Sequence, residues 1–426
     1  MSRKSYLFIL FLICIFVLSI LSGCSRPEKN RDTTPITPSE ATEIPMPPKE
    51  LDPSQILLEK MNLEEKIGQM LIVGFEEALP TPQTQQLIQD NKIGGFILFQ
   101  RNYMDFDGAV QLTNQLKSWN KENPLPLFIS IDEEGGTVSR IPDEGTKFPD
   151  ARLLGQINDP NLTYQMGQVI GRELKAMGVN LNFAPVLDIV ASKENKLLIR
   201  RAFGSTPETV AVHGLQFIKG QQKSDVIAVP KHFPGHGDTI VDSHGGLPKI
   251  MADRDMLNRR ELIPFRETFN EGVYALMVGH LAFPLIDPSG LPATKSAVIM
   301  KDLLRTELSY GGLIITDDIE MSAYMGQKDD LEESILLSIH GGVDIFVVGH
   351  TYDVQVKILD IIKRAVQDGR ISEDRINQSV LRVIRTKNKY HLSDEMINVE
   401  QARQNFGINE HKNVLEEIKR RSKKVR

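Results

Sequence analysis

The chain has 426 residues, of which 41% are hydrophobic and 25% are charged, and its formal net charge is −6. This composition is typical of a globular protein with one large domain or two ordinary ones. Because an acidic chain lacks the basic footprint that a phosphate backbone requires, we exclude nucleic acid as a partner.

The N-terminus has the pattern of a secretory signal. Basic residues precede an apolar run from Tyr6 to Leu21, and small residues follow it. The sequence LSGC also resembles a bacterial lipobox, in which Cys24 carries lipid. A plain membrane-anchor helix is the alternative, although the apolar run is short of the ~20 residues that span a bilayer. We expect residues 1–23 to be a signal peptide and the mature protein to be extracytoplasmic, held on the bacterial cell membrane by its lipid.

Residues 24–53 predict an extended tether. Seven prolines and few large apolar groups lie between positions 25 and 53, so this segment cannot bury a core. The other cysteine, Cys14, leaves with the signal peptide. The exported body therefore has neither a free thiol nor a disulfide.

The body, which we place at residues 54–392, alternates short apolar runs with amphipathic segments. The runs are LIVGF (71–75), IGGFILF (93–99), LFISID (127–132), VNLNFAPVL (179–187), VIAVPKHF (226–233), YALMVGHL (274–281), GLIITDD (312–318) and VDIFVVG (343–349). Continuous apolar runs separated by helices indicate parallel strands buried on both faces. Eight such units predict an α/β fold, a TIM-type (β/α)8 barrel in a single catalytic domain. A doubly wound open sheet is the competing topology.

Polar residues cluster where the apolar runs end. They are Asp132, Asn182, Asp188, Lys231, His232, His280, Asp317 and Asp318. In a barrel the carboxyl ends of all the strands meet at one mouth, whereas an open sheet would spread these residues along an edge. The pattern therefore favours the barrel and predicts a site at its mouth.

The remainder, residues 393–426, is charged and predicted to be a helical tail. Its last run, KRRSKKVR, is basic. A solvated surface explains this run, and contact with anionic lipid or wall polymer is the alternative. No glycine pair has dinucleotide-binding spacing and no phosphate-binding loop is present in the sequence, so we expect no cofactor. We expect the protein to be a monomer.

The loop KHFPGHGDTIVDSHGGLP, at residues 231–248, concentrates titratable side chains. A metal site is one explanation, because His232 and His236 are four residues apart. Pro234 would break the helix that this spacing requires, so we predict no metal. Proton transfer is the other explanation. Asp242 and His244 flank one residue, so an extended backbone would let the carboxylate orient the imidazole.

A proton donor that cleaves a stable bond needs a second group, and GLIITDDIE contains one. Asp317 ends an apolar strand, where a carboxylate is costly unless it has a role. Capping the next helix is the structural alternative, although Asp318 could serve equally well. An attacking carboxylate and a proton donor together are the arrangement of a retaining glycosidase.

The loop KHFPGHGDTIVDSH resembles the signature of glycoside hydrolase family 3 exo-β-N-acetylglucosaminidases of the NagZ type. The resemblance extends to MNLEEKIGQMLIVGF, GGFILFQRN, ISIDEEGGTVSRI, VNLNFAPVLDI, IRRAFG and IITDDIEM, and it covers the body from about residue 54 to 390.

The resemblance implies a role for several residues. It implies that Asp317 is the nucleophile and that His244, oriented by Asp242, is the general acid/base. The residues expected to hold the terminal sugar are Asp132, Arg201, Lys231 and His232. Arg140 and His236 match the motifs, but supporting roles fit them as well. The usual IGxRSFG region reads LLIRRAFG, and of its two arginines we select Arg201 over Arg200.

The implied function is removal of terminal β-linked N-acetylglucosamine from peptidoglycan fragments (muropeptides), in cell-wall recycling. Two alternatives remain open. A non-catalytic lipoprotein that captures muropeptides would need the binding groups but not Asp317 and His244 together. A phosphorylase is chemically feasible, because a neutral imidazole repels an incoming phosphate less than a carboxylate would.

Overall fold

The computed structural model describes residues 52–237, 239, 246–325 and 330–425. The predicted signal peptide, the lipid-bearing Cys24 and nearly all of the tether lie outside these residues, as do Asp242 and His244. Among the helices of the described part, none is both long enough and apolar enough to cross a membrane.

Each of the eight predicted apolar runs contains one strand. The strands are β1 (Leu71–Val73), β2 (Gly95–Ile97), β3 (Phe128–Ile131), β4 (Leu181–Asn182), β5 (Ile227–Ala228), β6 (Ala275–Val278), β7 (Leu313–Asp318) and β8 (Ile345–Val348). They form one sheet in the order β5-β4-β3-β2-β1-β8-β7-β6, and the paired strands are parallel.

The residues that follow β5 bring the two edges of the sheet together. The amide of Phe233 donates to the carbonyl of Met277 at 2.9 Å, and the amide of Met277 donates to the carbonyl of Pro230 at 3.0 Å. These bonds join the end of β5 to β6, so the sheet curves into a nearly closed ring. The predicted (β/α)8 barrel is confirmed, and the open-sheet alternative is wrong.

Helices surround the ring. They are Pro53–Lys60, Leu63–Gly68, Pro82–Gln89, Phe106–Trp119, Ala151–Ile157, Pro160–Ala176, Pro207–Gln222, Arg254–Met256, Leu262–Asn270, Ser322–Met325, Leu331–Gly341, Tyr352–Gln367, Glu373–Lys389, Val399–Arg403 and Asn409–Ser422. Two π-helical segments, Leu257–Glu261 and Val298–Glu307, and two 3-10 turns, Gln100–Asn102 and Ala293–Lys295, complete them.

Local sequence explains where the long helices begin. The side chain of Asp159 accepts hydrogen bonds from the amides of Asn161 and Leu162, and proline occupies the first turn. The helix Pro207–Gln222 starts in the same way, with Thr206 as its cap. A capping oxygen followed by proline satisfies the free amides and presets the backbone, so both starts are locally encoded.

The apolar side chains form two layers. Inside the ring lie alternate strand residues, including Ile72, Ile97, Phe128, Leu181, Ile227, Ala275, Met277, Leu313, Ile315, Ile345 and Val347. A larger layer fills the space between the strands and the helices. Strands buried on both faces are continuously apolar, which is the pattern of the sequence. The interior of the ring is therefore filled with side chains.

The C-terminal segment, residues 399–422, packs on the barrel. Phe406, His411 and Ile418 are buried. The ring of Phe406 lies 4.4 Å from the ring of Phe106, centre to centre. Much of the final basic run is exposed, as a solvated surface would be, but the segment before it contributes to the core.

Candidate active site

A cavity of about 440 Å³ opens at the carboxyl ends of the strands. Six of the residues selected from the sequence line it: Asp132, Arg140, Arg201, Lys231, His232 and Asp317. They follow β3 or β5, lie in the loop after β4 or, for Asp317, lie near the end of β7, as convergence at a barrel mouth requires. Asp242 and His244 lie outside the described residues, so the structure does not locate the predicted acid/base pair.

Lys231 is the centre of an ionic network in this cavity. Its Nζ lies 2.6 Å from Oδ1 of Asp132 and 2.7 Å from Oε1 of Glu134. The guanidinium of Arg201 donates two hydrogen bonds to Glu134, both 2.7 Å long. Two cations and two carboxylates therefore alternate along one wall of the cavity. Such charge-assisted and bidentate bonds hold side chains in one orientation.

Glu134 is the member of this network that the sequence analysis did not identify. Burial alone would raise the pKa of its carboxyl, but Arg201 and Lys231 outweigh burial and lower that pKa. A carboxylate that is buried and ionised between two cations fixes them both. In the sequence, the only sign that Glu134 belongs to the site is its position two residues after Asp132.

The neighbouring Glu133 has the opposite environment. It accepts hydrogen bonds from the amides of Arg140, at 2.6 Å, and Ile141, at 3.1 Å. Burial nevertheless raises the pKa of Glu133 to about 7. Glu133 therefore shapes the loop that carries Arg140, whose guanidinium donates to the Ser139 carbonyl at 3.4 Å.

His232 is oriented by a buried carboxylate. Its Nδ1 lies 2.7 Å from Oδ2 of Asp188. Burial acts to raise the pKa of Asp188, but His232 and His236 lower it, so the carboxylate accepts and Nδ1 donates. The amide of His236 donates to the other carboxylate oxygen at 2.7 Å. The Nε2 atom of His232 is consequently the one left to meet a ligand.

Asp317 is a half-buried carboxylate on the cavity wall at the end of β7. Burial would raise its pKa, but the nearby His232, His280 and Lys231 together lower it. The amide of Asp318 donates to Asp317 Oδ1 at 2.8 Å. Asp317 is therefore ionised at neutral pH and accessible from the cavity, as a nucleophile must be.

Asp318 differs from its neighbour in its contacts and in the direction of its pKa shift. Its Oδ1 accepts from the amides of Glu320, at 3.1 Å, and Gly349, at 3.2 Å. Burial raises its pKa to about 6. A side chain at position 349 would crowd it, because a Cβ there would lie 2.4 Å from Asp318 Oδ2. Asp318 thus joins the ends of β7 and β8.

The side chains of Arg200 and Arg201 lie in different environments. The side chain of Arg201 is 15% exposed and lies in the cavity, whereas that of Arg200 is 61% exposed. Arg200 bonds Asp150 at 2.6 Å, beside a separate groove. Only Arg201 can therefore reach a ligand in the cavity with the network of Lys231.

Residues 62–386 match the family described as the glycosyl hydrolase family 3 N terminal domain. Beta-hexosaminidase A of Pseudoalteromonas piscicida is 31% identical over 79% of this chain, which spans 60% of that relative. Beta-hexosaminidase LpqI of Mycobacterium tuberculosis is 29% identical, and the match covers 87% of this chain and 94% of the LpqI chain. The solved β-N-acetylglucosaminidase of this family from Paenibacillus sp. str. FPU-7 has a TM-score of 0.79 and 37% identity, covering 85% of this chain and 69% of that one. The chain belongs to glycosyl hydrolase family 3 and is a glycosidase.

Proposed function

We propose that this protein is a retaining exo-β-N-acetylglucosaminidase. The relatives named above are a β-hexosaminidase A, LpqI and a β-N-acetylglucosaminidase, which supports this sugar specificity. The observation that carries the proposal is the placement of Asp317, whose pKa is lowered, in the cavity that also contains Asp132, Arg201 and Lys231.

The ionic network around Lys231 would orient the terminal sugar. Lys231 and Arg201 can each donate to sugar hydroxyls while Glu134 holds them in place, and Asp132 can accept from a hydroxyl. Paired donors and acceptors suit a ring that carries adjacent hydroxyl groups. Orientation of this kind lowers the entropic part of the barrier, because the anomeric carbon is held within reach of Asp317.

Two displacements complete the proposed reaction. A carboxylate oxygen of Asp317 attacks the anomeric carbon, and the bond from that carbon to the leaving oxygen breaks as His244 gives the oxygen its proton. His244, oriented by Asp242, then takes a proton from water, which attacks the same carbon and releases Asp317. Two inversions retain the configuration. The parts given to Asp242 and His244 rest on the sequence alone.

The substrate we propose is a peptidoglycan fragment with N-acetylglucosamine at its non-reducing end. The support is the sequence, whose first 24 residues predict export and lipid attachment, so the enzyme would face the cell wall. Cys24→Ala should move the protein from the membrane fraction to the soluble extracellular or periplasmic fraction. A variant that stays in the membrane fraction would contradict the lipid anchor.

Asp317→Ala tests the nucleophile, with Asp318→Asn as its matched control. We expect the first to lower kcat for nitrophenyl N-acetyl-β-glucosaminide by about four orders of magnitude, because covalent catalysis is lost. The second should lose far less activity, because Asp318 also lines the cavity but its Oδ1 accepts from the amides of Glu320 and Gly349. A fluorinated sugar that traps the intermediate should label the peptide that contains Asp317. Label on another carboxylate would reject this assignment.

His244→Ala tests the proton donor. We expect a large loss of activity on a disaccharide and a smaller loss on the nitrophenyl substrate, since a good leaving group needs little protonation. Equal losses on both substrates would argue against an acid role. Assays with and without phosphate, followed by a search for the sugar 1-phosphate, distinguish hydrolysis from phosphorolysis.

A further inference from the structure

The loop that follows β3, residues 132–148, carries three charged side chains of the cavity: Asp132, Glu134 and Arg140. We call it the β3 loop. It is held partly by its own bonds. The Gly136 amide donates to the Phe148 carbonyl at 2.8 Å, and the Glu134 amide donates to the Val138 carbonyl at 2.9 Å. The inner end of the loop is also held by Asn182 of β4, whose side chain bonds the amide and the carbonyl of Glu133. The outer part of the loop is supported from outside the barrel strands.

The outer part of the β3 loop is attached to a buried carboxylate, Glu173, on the helix Pro160–Ala176. The amide of Thr146 donates to Glu173 Oε2 at 2.9 Å, and its hydroxyl donates to Oε1 at 2.7 Å. Glu173 is 1% exposed. A buried carboxylate is tolerated only where donors surround it, so the environment of Glu173 strongly determines the position of Thr146.

The remaining donors to Glu173 come from the C-terminal segment. The amide of Gly407 donates to Oε1 at 3.1 Å, and Nδ1 of His411 lies 2.9 Å from the same oxygen. His411 is buried. One carboxylate thus joins the β3 loop to residues that follow it in the chain by more than 250 positions, and that lie beyond the matched residues 62–386.

Direct packing reinforces this connection. Gly407 has φ of +60°, and a Cβ on it would lie 2.0 Å from the carbonyl oxygen of Glu144. A Cβ on Gly145 would lie 2.7 Å from the ring of Phe406. The two backbones therefore meet with no room for a side chain between them.

We infer that the C-terminal segment is a positioning element for the sugar site, because Phe406, Gly407 and His411 hold the β3 loop that orients Asp132, Glu134 and Arg140. From the contact at Thr146 the loop runs back to Ile141 and Arg140, whose amides bond Glu133. A shift at the contact is thereby passed to the cavity. The catalytic consequence rests on the proposed function, whereas the structural consequence does not.

Gly407→Ala tests this inference, with Gly369→Ala as the matched control. Both glycines have positive φ, at +60° and +73°, so both substitutions strain the backbone similarly. Nothing lies within 4 Å of a Cβ at Gly369, whereas the β3 loop blocks one at Gly407. We expect Gly407→Ala alone to raise KM for the nitrophenyl substrate by about tenfold, with a smaller change in kcat.

Hydrogen exchange of the full-length variants gives a readout independent of activity. The amides of Gly136, Arg140 and Ile141 should exchange faster in Gly407→Ala than in Gly369→Ala. Equal exchange in the two variants would overturn the inference. An inactive wild-type protein would contradict only the proposed function, because the exchange comparison would still decide the inference.

Phe406→Ala and Ile418→Ala form a second pair, to be used if Gly407→Ala does not fold. Both remove a buried side chain from the C-terminal segment, but Phe406 faces the β3 loop and none of the contacts above involves Ile418. Both should lower Tm, and only Phe406→Ala should raise KM and speed the exchange of the three amides. Equal effects on KM would mean that the segment supports general stability alone.

Discussion

Two lysines are buried at opposite ends of the barrel. Lys231 lies at the mouth, where its Nζ is 2.6 Å from Asp132 and 2.7 Å from Glu134. Lys387 lies at the other end, where it donates to Oε1 of Gln69 at 2.7 Å and to the carbonyl of Gly94 at 3.0 Å. The exposed fractions are 3% and 1%, so burial does not distinguish the two sites.

Their partners do distinguish them. Burial acts to lower the pKa of both lysines. At Lys231 the carboxylates Asp132 and Glu134 outweigh burial and raise the pKa, whereas at Lys387 burial prevails and lowers it to about 7. The mouth thus keeps a permanent charge that a polar ligand can use, while the closed end holds an amine among neutral oxygens. The proposed sugar site lies at the end where the charge is maintained.

Within this comparison, the largest expected effect comes from making the same substitution at both ends. We expect Lys231→Met to lower kcat/KM on the nitrophenyl substrate by about 100-fold or more, because it removes a charged donor and frees two carboxylates. Lys387→Met should change kcat/KM by less than about threefold, since it leaves the mouth intact. Steady-state kinetics on both variants would measure kcat/KM, and thermal unfolding would confirm that each variant is folded. Similar losses of kcat/KM in the two variants would show that the different partners of Lys231 and Lys387 do not affect catalysis.

A smaller effect should follow from Glu134→Gln. The variant keeps the shape of the side chain but loses the charge that orients Arg201 and Lys231. Loss of a charge-assisted hydrogen bond is worth roughly 1.5–3 kcal/mol, so we expect kcat/KM to fall by about ten- to a hundredfold. Glu133→Gln is the control, because its carboxyl bonds amides of the loop rather than the two cations. A greater loss in the control would contradict the role given to Glu134.

The smallest effect concerns stability and pH at the closed end. The pKa of Lys387 is about 7 when folded, below its unfolded value, so between pH 7 and 9 the unfolded chain binds more protons. The free energy of unfolding therefore gains a contribution that rises with pH. Relative to Lys387→Met, wild type should gain roughly 2 kcal/mol between pH 7 and 9, as measured by urea unfolding. A difference that does not change with pH would mean that folded Lys387 keeps its proton.

Much of this molecule can be predicted from local patterns. Strands buried on both faces must be apolar throughout, so eight runs in sequence indicate the barrel. The barrel topology then brings the carboxyl ends of the strands together. Asp132, Lys231 and Asp317 can therefore be predicted to share one cavity before any distance between them is known. The loop motif KHFPGHGDTIVDSH also indicates the enzyme family, because the order and spacing of its residues are specific to that family.

Only the tertiary structure distinguished side chains that are identical in the sequence. Glu133 and Glu134 are adjacent, yet burial raises the pKa of one and two cations lower that of the other. Partners distant in the sequence decide what each of the two side chains meets. The sequence by itself therefore determined the barrel and several of the polar residues at its mouth, but not Glu134. The pairing of Glu134 with two cations, and of Glu173 with His411, depended on contacts between segments far apart in the chain.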